Sequence, residues 1–460
     1  MRTEAGVDHR TAVLWAVVMS AFLTPFIGSS VNVALPAIGR EFHMSAVALS
    51  WVATAFLLSA AALLVPVGRL ADIYGRRRLF LWGVLVHTAA SVASVAAPSG
   101  SLLIGLRAVQ GLGSALIFAT GIAILTSVFA GPERGRVLGY HVASVYTGLS
   151  VGPLVGGLLT QAWGWRSIFL APVPIGLGAA ALIGWRLRGD WAGARGERFD
   201  VLGALLYTGS LTGFLYGLAR LPGLEGASLM GLGLGGLAAF GLWELRHDSP
   251  VLDVRLLGTN RAFLFSNLAA LIHYSATFAV VFLMSLYLQG VQGLTPAHAG
   301  AVLVVQPVLQ AVVSPWAGRL SDRVAPGVVA SVGMSLSAAG LFLLAWLGPT
   351  TPMALVVGGL GLLGCGFGLF SAPNTNAVMQ SVERRYYGVA SGTLGTMRLV
   401  GQALSMGIVT FLLTLYMGTA RLNPGHTARF IEALRSAFLV FTGLCILGIG
   451  ASLARGKAGQ

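Results

Sequence analysis

Fourteen long apolar runs, separated by short polar stretches, constrain this chain more than any other feature of its sequence. Each run supplies roughly the 20 apolar residues that an α-helix needs to cross the hydrocarbon core of a bilayer. Because backbone groups surrounded by lipid must be hydrogen-bonded within their own segment, such runs predict transmembrane helices. The predicted spans, numbered one to fourteen, are 12–34, 46–67, 79–97, 101–129, 137–161, 167–187, 201–220, 227–245, 262–288, 296–317, 327–347, 353–378, 388–417 and 433–454.

The composition supports a membrane protein. Only 10% of the 460 residues are charged and 56% are hydrophobic, whereas an ordinary soluble domain carries about 25% charged residues. The formal net charge of +14 does not indicate nucleic acid, because the basic residues stand in short clusters between the apolar runs. We expect a multi-pass protein of the cytoplasmic membrane of a prokaryotic cell, in contact with lipid and without a nucleic-acid partner.

The basic residues also predict the orientation of the chain. With the N-terminus placed inside, 21 of them fall in inner loops and tails and six at the outer side. Short loops rich in arginine and lysine stay in the cytoplasm. We therefore expect both termini to be cytoplasmic, and the even number of spans agrees with this.

The same charged turn occurs twice on the predicted inner side, after the second span and after the tenth. The first copy reads VPVGRLADIYGRRRL and the second reads SPWAGRLSDRVAPG. Anchoring of helices on the inner side explains the arginines of the two turns. It does not explain why both turns share the sequence Gly-Arg-Leu-x-Asp. An internal repeat of this kind is typical of secondary transporters that are built from two related halves.

The repeat predicts how the chain is divided. We expect an N-terminal six-helix bundle over 1–190, a linker with two extra transmembrane helices over 191–261, and a C-terminal six-helix bundle over 262–460. The predicted fold class is an all-α polytopic membrane protein with 14 transmembrane helices.

The two turns are predicted to act as conformational latches. A carboxylate just ahead of a helix can pair with nearby arginines and with the positive end of the helix dipole, and contacts that form in one conformation only stabilise that conformation. The simpler alternative is that the charges only anchor the loops. The predicted latch residues are Gly68, Asp72, Gly75, Arg76 and Arg78 in the first turn, and Gly318, Asp322 and Arg323 in the second.

Several of these stretches resemble motifs of the major facilitator superfamily. The first charged turn resembles the loop motif of that family, and LRAVQGLGSA, with Arg107, Gln110 and Gly111, resembles its fourth-helix motif. The stretch GLSVGPLVGG resembles its fifth-helix antiporter motif. VNVALPAI in span one and GTMRLVGQALS in span thirteen are similar to the fourteen-helix drug:proton antiporter branch. The resemblance covers essentially the whole chain and implies the major facilitator fold and export by alternating access.

The antiporter-like motif also has a physical interpretation. Gly148, Gly152 and Gly156 recur every fourth residue, so they share one helix face that a neighbouring helix can approach closely. Pro153 removes one backbone hydrogen bond and bends the helix there. Gly152, Pro153, Gly156 and Gly157 are the residues that match the antiporter motif. A hinge or seal is one hypothesis for this face, and a static packing seam is the other.

Polar side chains inside the spans are candidates for a substrate or ion pathway. Charge at mid-membrane is expensive and often functional, which singles out two arginines that match family positions near the central cavity. A lone histidine is more often a packing residue, and amides can equally join helices. The candidate pathway residues are Asn32, Arg107, Gln110, His273, Gln306, Asn374, Asn376 and Arg398.

One departure from the family concerns proton coupling. The drug-antiporter branch resembles LDxTVVNVALP in the first helix, whereas this chain reads FIGSSVNVALP, with Ile27 at the aspartate position. None of the 15 acidic residues falls in the middle of a predicted span. The remaining candidates for a proton carrier are His273, because an unperturbed imidazole titrates near about pH 6.5, and Asp72 or another acid at a helix end.

The sequence thus predicts a secondary active transporter that exports small amphipathic or hydrophobic organic compounds, as multidrug efflux proteins do, at the expense of a proton gradient. The alternative is a facilitator or importer of a neutral or anionic metabolite, which two central arginines without a buried acid favour. A membrane sensor without flux is a third hypothesis.

We expect no enzyme, cofactor or metal site, because no segment gathers a nucleophile with a base and the two cysteines lack metal-binding spacing. A monomer with a small-molecule substrate, and with protons as a further partner, is expected.

Overall fold

The computed structural model describes residues 2–129, 132–187, 189–247, 250–252, 255–321, 323–383, 387–418, 420 and 424–455. These residues form helices joined by short turns, and no strand occurs among them. Fourteen helical stretches in this part of the chain are long and apolar enough to cross a membrane, which confirms the predicted all-α polytopic fold.

The helices are α1 (Arg2–Glu41), α2 (Ala46–Tyr74), α3 (Arg76–Val95), α4 (Gly100–Val128), α5 (Pro132–Trp163), α6 (Ser167–Leu170), α7 (Val173–Trp185), α8 (Val201–Ala219), α9 (Leu224–Glu244), α10 (Arg255–Thr259), α11 (Arg261–Thr277), α12 (Val280–Gly290), α13 (Pro296–Leu303), α14 (Val305–Leu320), α15 (Pro326–Leu344), α16 (Met353–Gln380), α17 (Tyr387–Met417) and α18 (Thr427–Leu453).

The structure differs from the sequence prediction in helix length and continuity. The first helix runs from residue 2 to 41 rather than from 12 to 34, with two prolines inside it. Spans six, nine and ten each consist of two consecutive helices. In span nine the break has a visible cause, because the Ala279 N–H bonds to Ser405 Oγ at 3.0 Å instead of continuing the helix. In span ten, Pro307 has no N–H to donate to the Leu303 carbonyl.

The helices form two groups with the same packing pattern. In the first half, α1–α7, the closest pairs are α1 with α5, α2 with α4 and α3 with α4. In the second half, α11–α18, the corresponding spans pair as α11 with α17, α14 with α16 and α15 with α16. Helices α8 and α9 pack on each other, and α8 also contacts α2 and α17.

The two halves are hydrogen-bonded to each other mainly at one end. We call the face at which α1 begins and α18 ends the terminal face, and the other the opposite face. Helix α2 begins and α17 ends at the opposite face, where Ser50 Oγ lies 2.8 Å from Thr410 Oγ1. Nearby, Ser285 Oγ in α12 donates to the Asn32 carbonyl of α1 at 2.6 Å. These bonds close the molecule between the halves at the opposite face.

Candidate functional site

Polar side chains from both halves meet near the middle of the molecule. The Tyr146 hydroxyl of α5 lies 3.0 Å from Ser371 Oγ of α16. The Tyr274 hydroxyl of α11 lies near Ser371 and near Arg398 of α17. Together with His141 of α5, which lies near Arg398, these residues form what we call the central cluster.

Arg398 provides the charge of the central cluster. Its side chain is half-buried, and its guanidinium carbon lies 5.7 Å from the centre of the Phe118 ring in α4. His141 is buried, and its Nδ1 has no hydrogen-bond partner among the described residues. In the part of the chain that the structure describes, no acidic side chain forms an ion pair with Arg398. The cluster therefore offers a guanidinium, an imidazole and three hydroxyls.

Arg107, the other predicted arginine, is enclosed within the first half and is 1% exposed. Its Nε donates to the Val52 carbonyl at 3.0 Å, its guanidinium also bonds to the Gln110 amide oxygen, and it lies 4.3 Å from the Phe56 ring centre. Phe118, which contacts Arg398, is 11 residues further along the same helix, or about 16 Å. The structure therefore does not bring the two arginines into one site.

A chain of polar groups continues from Arg107 toward α1. Gln110 Nε2 donates to Ser91 Oγ at 2.7 Å. His87 Nδ1 lies 3.1 Å from Ser114 Oγ, which is 3.2 Å from Thr24 Oγ1. His87 Nε2 has no hydrogen-bond partner among the described residues. The network is enclosed by α1, α2, α3 and α4. A buried nitrogen without a hydrogen-bond partner, such as His87 Nε2 in the described part of the chain, is energetically unfavourable in such surroundings.

Ile27 faces this network. It is fully buried, and it lines one narrow gap together with His87, Thr88 and Ser91. The position at which the antiporter branch carries an aspartate is thus apolar here and lies beside an imidazole. Nothing in the sequence connects residue 27 with His87, because they are on different helices.

His273 lies outside the central cluster although Tyr274 belongs to it. Its ring is fully buried, with its centre 4.0 Å from that of Phe370 and 5.0 Å from that of Phe367. Neither ring nitrogen has a hydrogen-bond partner in the described part of the chain. The role of His273 as a proton carrier stays a prediction.

The predicted amides are distributed over several places. Asn32 and Gln306 are buried, and their side-chain oxygens have no partner among the described residues. Asn376 Nδ2 donates to Ser321 Oγ at 2.7 Å. Asn374 accepts from Arg455 Nη2 at 2.6 Å, and burial lowers the pKa of Arg455 to about 10, so it stays charged at neutral pH. These four amides do not join the central cluster.

The first charged turn is built around an ion pair. Arg76 Nη2 lies 2.7 Å from Asp72 Oδ1, one helical turn earlier in sequence. Arg76 Nη1 also donates to Ser127 Oγ at 2.9 Å, which connects the turn to the end of α4. Gly68 has Ala119 of the same half as its neighbour. All these contacts lie within the first half.

The segment that follows α7 holds this turn from the other side. Gly75 has φ of +113°, and a β-carbon there would overlap the Asp190 carboxylate. Asp190 Oδ1 accepts from the Arg77 N–H at 3.2 Å, and Oδ2 lies 3.1 Å from Arg78 Nε. The Ala194 N–H donates to the Asp72 carbonyl at 2.9 Å. The segment that follows α7 therefore supplies partners for the turn.

The second charged turn is described in part. Gly318 lies next to Ala372 of α16, and Arg323 is exposed. Asp322 lies outside the described residues. Its predicted latch role therefore stays a prediction.

The glycine face of α5 packs on α1. A β-carbon at Gly148 would lie 2.8 Å from the Phe22 carbonyl oxygen, and one at Gly156 would lie 2.7 Å from Ser30 Cβ. The Gly152 carbonyl accepts from Ser30 Oγ at 2.9 Å. The close approach predicted from the four-residue spacing is therefore made within one half.

The neighbouring residues of the same motif reach the other half. A β-carbon at Gly157 would overlap the Pro296 carbonyl oxygen of α13, and one at Gly300 of α13 would overlap the Pro153 carbonyl oxygen. Backbone approach of this kind has no room for side chains. The motif therefore carries two seams, one to α1 and one between the halves.

Comparisons with known proteins agree with this architecture. The family described as Major Facilitator Superfamily matches residues 17–406 and 266–457. A riboflavin transporter, RibZ of Clostridioides difficile, is 28% identical over 446 residues, which are 96% of this chain and 97% of the relative. The cephamycin export protein CmcT of Amycolatopsis lactamdurans is 34% identical over 429 residues, 89% of this chain and 86% of the relative. A crystal structure of a bacterial homologue of the human lysosomal transporter Spinster, inward-facing and unoccupied, covers 97% of both chains with a TM-score of 0.68 at 17% identity.

Proposed function

Because the chain belongs to the major facilitator superfamily and is therefore a membrane transporter rather than an enzyme, we propose that it exports small amphipathic or hydrophobic organic compounds by alternating access. The central cluster holds the substrate, and inward movement of protons drives the export. The bundles 1–190 and 262–460 rock against each other, while 191–261 connects them. The chain works as a monomer.

The observation that carries this proposal is the meeting of both halves at the Tyr146–Ser371 contact. A site built from both halves is exposed to one side at a time when the halves rock about it. In the present arrangement the halves are bonded to each other at the opposite face. Access is then from the terminal face, which the distribution of arginines assigns to the cytoplasm. An exporter takes up its substrate from that side.

A second candidate function is facilitation or import of a neutral or anionic metabolite. It is favoured by the charges in the described spans, where arginines occur at mid-membrane and carboxylates lie toward the helix ends. The full-length similarity to a riboflavin transporter also supports it. This candidate does not require proton coupling.

Flux in proteoliposomes separates the two candidates. Purified protein is reconstituted, and uptake of a panel of amphipathic compounds of negative, zero and positive charge is measured with and without an imposed pH gradient. Accumulation that depends on the pH gradient and is abolished by nigericin supports proton-coupled export. Uptake that only equalises the inner and outer concentrations and is unaffected by the pH gradient excludes it and favours the facilitator.

A further inference from the structure

The two mid-membrane arginines have different surroundings, and the difference indicates what each one does. Arg107 is 1% exposed, with a backbone carbonyl and an amide oxygen as acceptors and an aromatic ring over its face. An arginine enclosed in this way is satisfied by the protein itself. It has neither room nor need for a further ligand.

Arg398 has a much poorer set of partners. It is half-buried, and the hydroxyl of Tyr274 lies near its guanidinium. An unpaired guanidinium inside the membrane has an unfavourable free energy, and pairing with an anion makes that free energy less unfavourable. Guanidinium groups bind planar carboxylate-like anions through two parallel hydrogen bonds. Arg398 is therefore placed to receive an anion that the protein does not supply.

The rest of the central cluster suits the same ligand. Tyr274, which lies near Arg398, also lies near Ser371, and Ser371 is bonded to Tyr146, so that α5, α11 and α16 bring three hydroxyls to the central cluster. The Phe118 ring, 5.7 Å from the guanidinium carbon, provides an apolar wall beside the charge. A polar, positively charged end next to an aromatic wall matches an amphipathic anion.

We propose that the central cluster binds the anionic group of an amphipathic organic compound, a carboxylate, sulfonate or phenolate, with Arg398 as its charge partner and Phe118 against its apolar part. The inference rests on the proposed function, because it names the class of compound that the proposed substrate site takes. Organic cations are excluded from this site by Arg398.

This assignment has a consequence for proton coupling. Arg398 of α17 lies near His141, whereas Arg136 bonds to the Tyr140 hydroxyl and Arg10 pairs with Glu133 further toward the terminal face. A proton on His141 adds positive charge beside the bound anion, so the proton and the anion favour each other's binding. Export driven by inward protons requires the two to compete. The driving proton of an anion exporter therefore binds at a group other than His141.

Binding of three matched probes tests the inference. The probes are 1-naphthoate, 1-naphthylmethanol and 1-naphthylmethylammonium, which share a ring system and differ in charge. Their dissociation constants for the purified full-length protein in detergent are measured by equilibrium dialysis. We expect naphthoate to bind the parent protein about tenfold more tightly than the alcohol, and the ammonium compound to bind most weakly.

Variants assign the preference to one side chain. Arg398→Gln is expected to weaken naphthoate roughly tenfold and to change the alcohol less than about twofold, and Arg398→Lys is expected to retain most of the preference. Arg435→Gln is the matched control, because Arg435 also lies over an aromatic ring, Trp346 at 4.3 Å, but is exposed on α18. It should leave all three constants unchanged.

Three results would overturn the inference: equal binding of the anion and the alcohol by the parent, loss of both to the same extent in Arg398→Gln, or binding of none of the three probes. If naphthoate binds through Arg398 but is not transported across the proteoliposome membrane, the anion site is supported and the proposed export is contradicted.

Discussion

The Asp190 carboxylate lies in the space that a β-carbon on Gly75 would need. Gly75 has φ of +113°, a backbone conformation that side chains disfavour. Glycine is therefore needed at this position for two reasons: it adopts positive φ without strain, and it leaves space for the Asp190 carboxylate. Through this contact the segment after α7 holds the first charged turn in place.

Replacement of Gly75 by alanine should displace Asp190 and open the turn. We expect the strained backbone and the overlap together to lower the free energy of unfolding by about 1–3 kcal/mol. We also expect slower transport. Gly164→Ala is the control, because Gly164 also has positive φ, +81°, but open space around it. Unfolding followed by tryptophan fluorescence measures the effect, and equal losses in both variants would show that the Asp190 contact contributes nothing.

Asp72→Asn should slow transport strongly while the protein still reaches the membrane. The substitution removes the charge that pairs with Arg76 at 2.7 Å, and thereby frees the guanidinium that bonds to Ser127 of α4. Initial rates of flux per protein molecule in proteoliposomes measure this. Glu225→Gln, which alters an exposed acid at the start of α9, is the control. An unaltered rate in Asp72→Asn would rule out a latch in the first half.

Gly152→Leu should block transport through overpacking. The added side chain meets Ser29 and the Phe26 carbonyl oxygen, which a β-carbon alone would approach to 3.0 Å. Overpacking of this kind costs about 1–3 kcal/mol, so we expect a folded protein without flux. Gly139→Leu tests the specificity, because Gly139 is on the same helix and a β-carbon there would have no neighbour within 4 Å among the described residues. Normal flux in Gly152→Leu would contradict a role of this face in the transport cycle.

Alanine substitutions at Arg107 and Arg398 should have different effects on stability and ligand binding. Arg107→Ala leaves the Val52 carbonyl and Gln110 without their donor, so we expect a loss of stability of about 1.5–3 kcal/mol. Arg398→Ala should affect ligand binding more than unfolding, because its protein contacts are fewer. Thermal unfolding and naphthoate binding are measured on both variants. The prediction fails if Arg107→Ala weakens binding with its stability intact.

His273→Gln should remove the response of transport to a pH gradient while counterflow without a gradient continues. Exchange of substrate for substrate needs no net proton movement, whereas driven export does. His87→Gln is the competing variant, since His87 also has an unpartnered ring nitrogen among the described residues. Full pH coupling in His273→Gln together with its loss in His87→Gln would transfer the role to His87.

Much of this protein could be predicted without its structure. The fourteen spans follow from runs of apolar residues, because helix formation in lipid is a local requirement that each segment satisfies alone. The family follows from motifs that are contiguous in sequence. The close approach of Gly148 and Gly156 to another helix follows from their four-residue spacing. These features depend on residues that are near one another along the chain.

Tertiary structure decided which side chains meet. Arg107 and Arg398 look equivalent in sequence, yet Arg107 is enclosed by its own half, whereas Arg398 of the second half lies over Phe118 of the first half. His141 and Asp190 carry no local signal, because their partners lie on helices distant in sequence. A helix presents a side chain every 100° of rotation, and its own sequence does not specify which neighbour stands there. Spans and family were therefore determined by local sequence, whereas the proposed substrate site arises only where helices of both halves pack together.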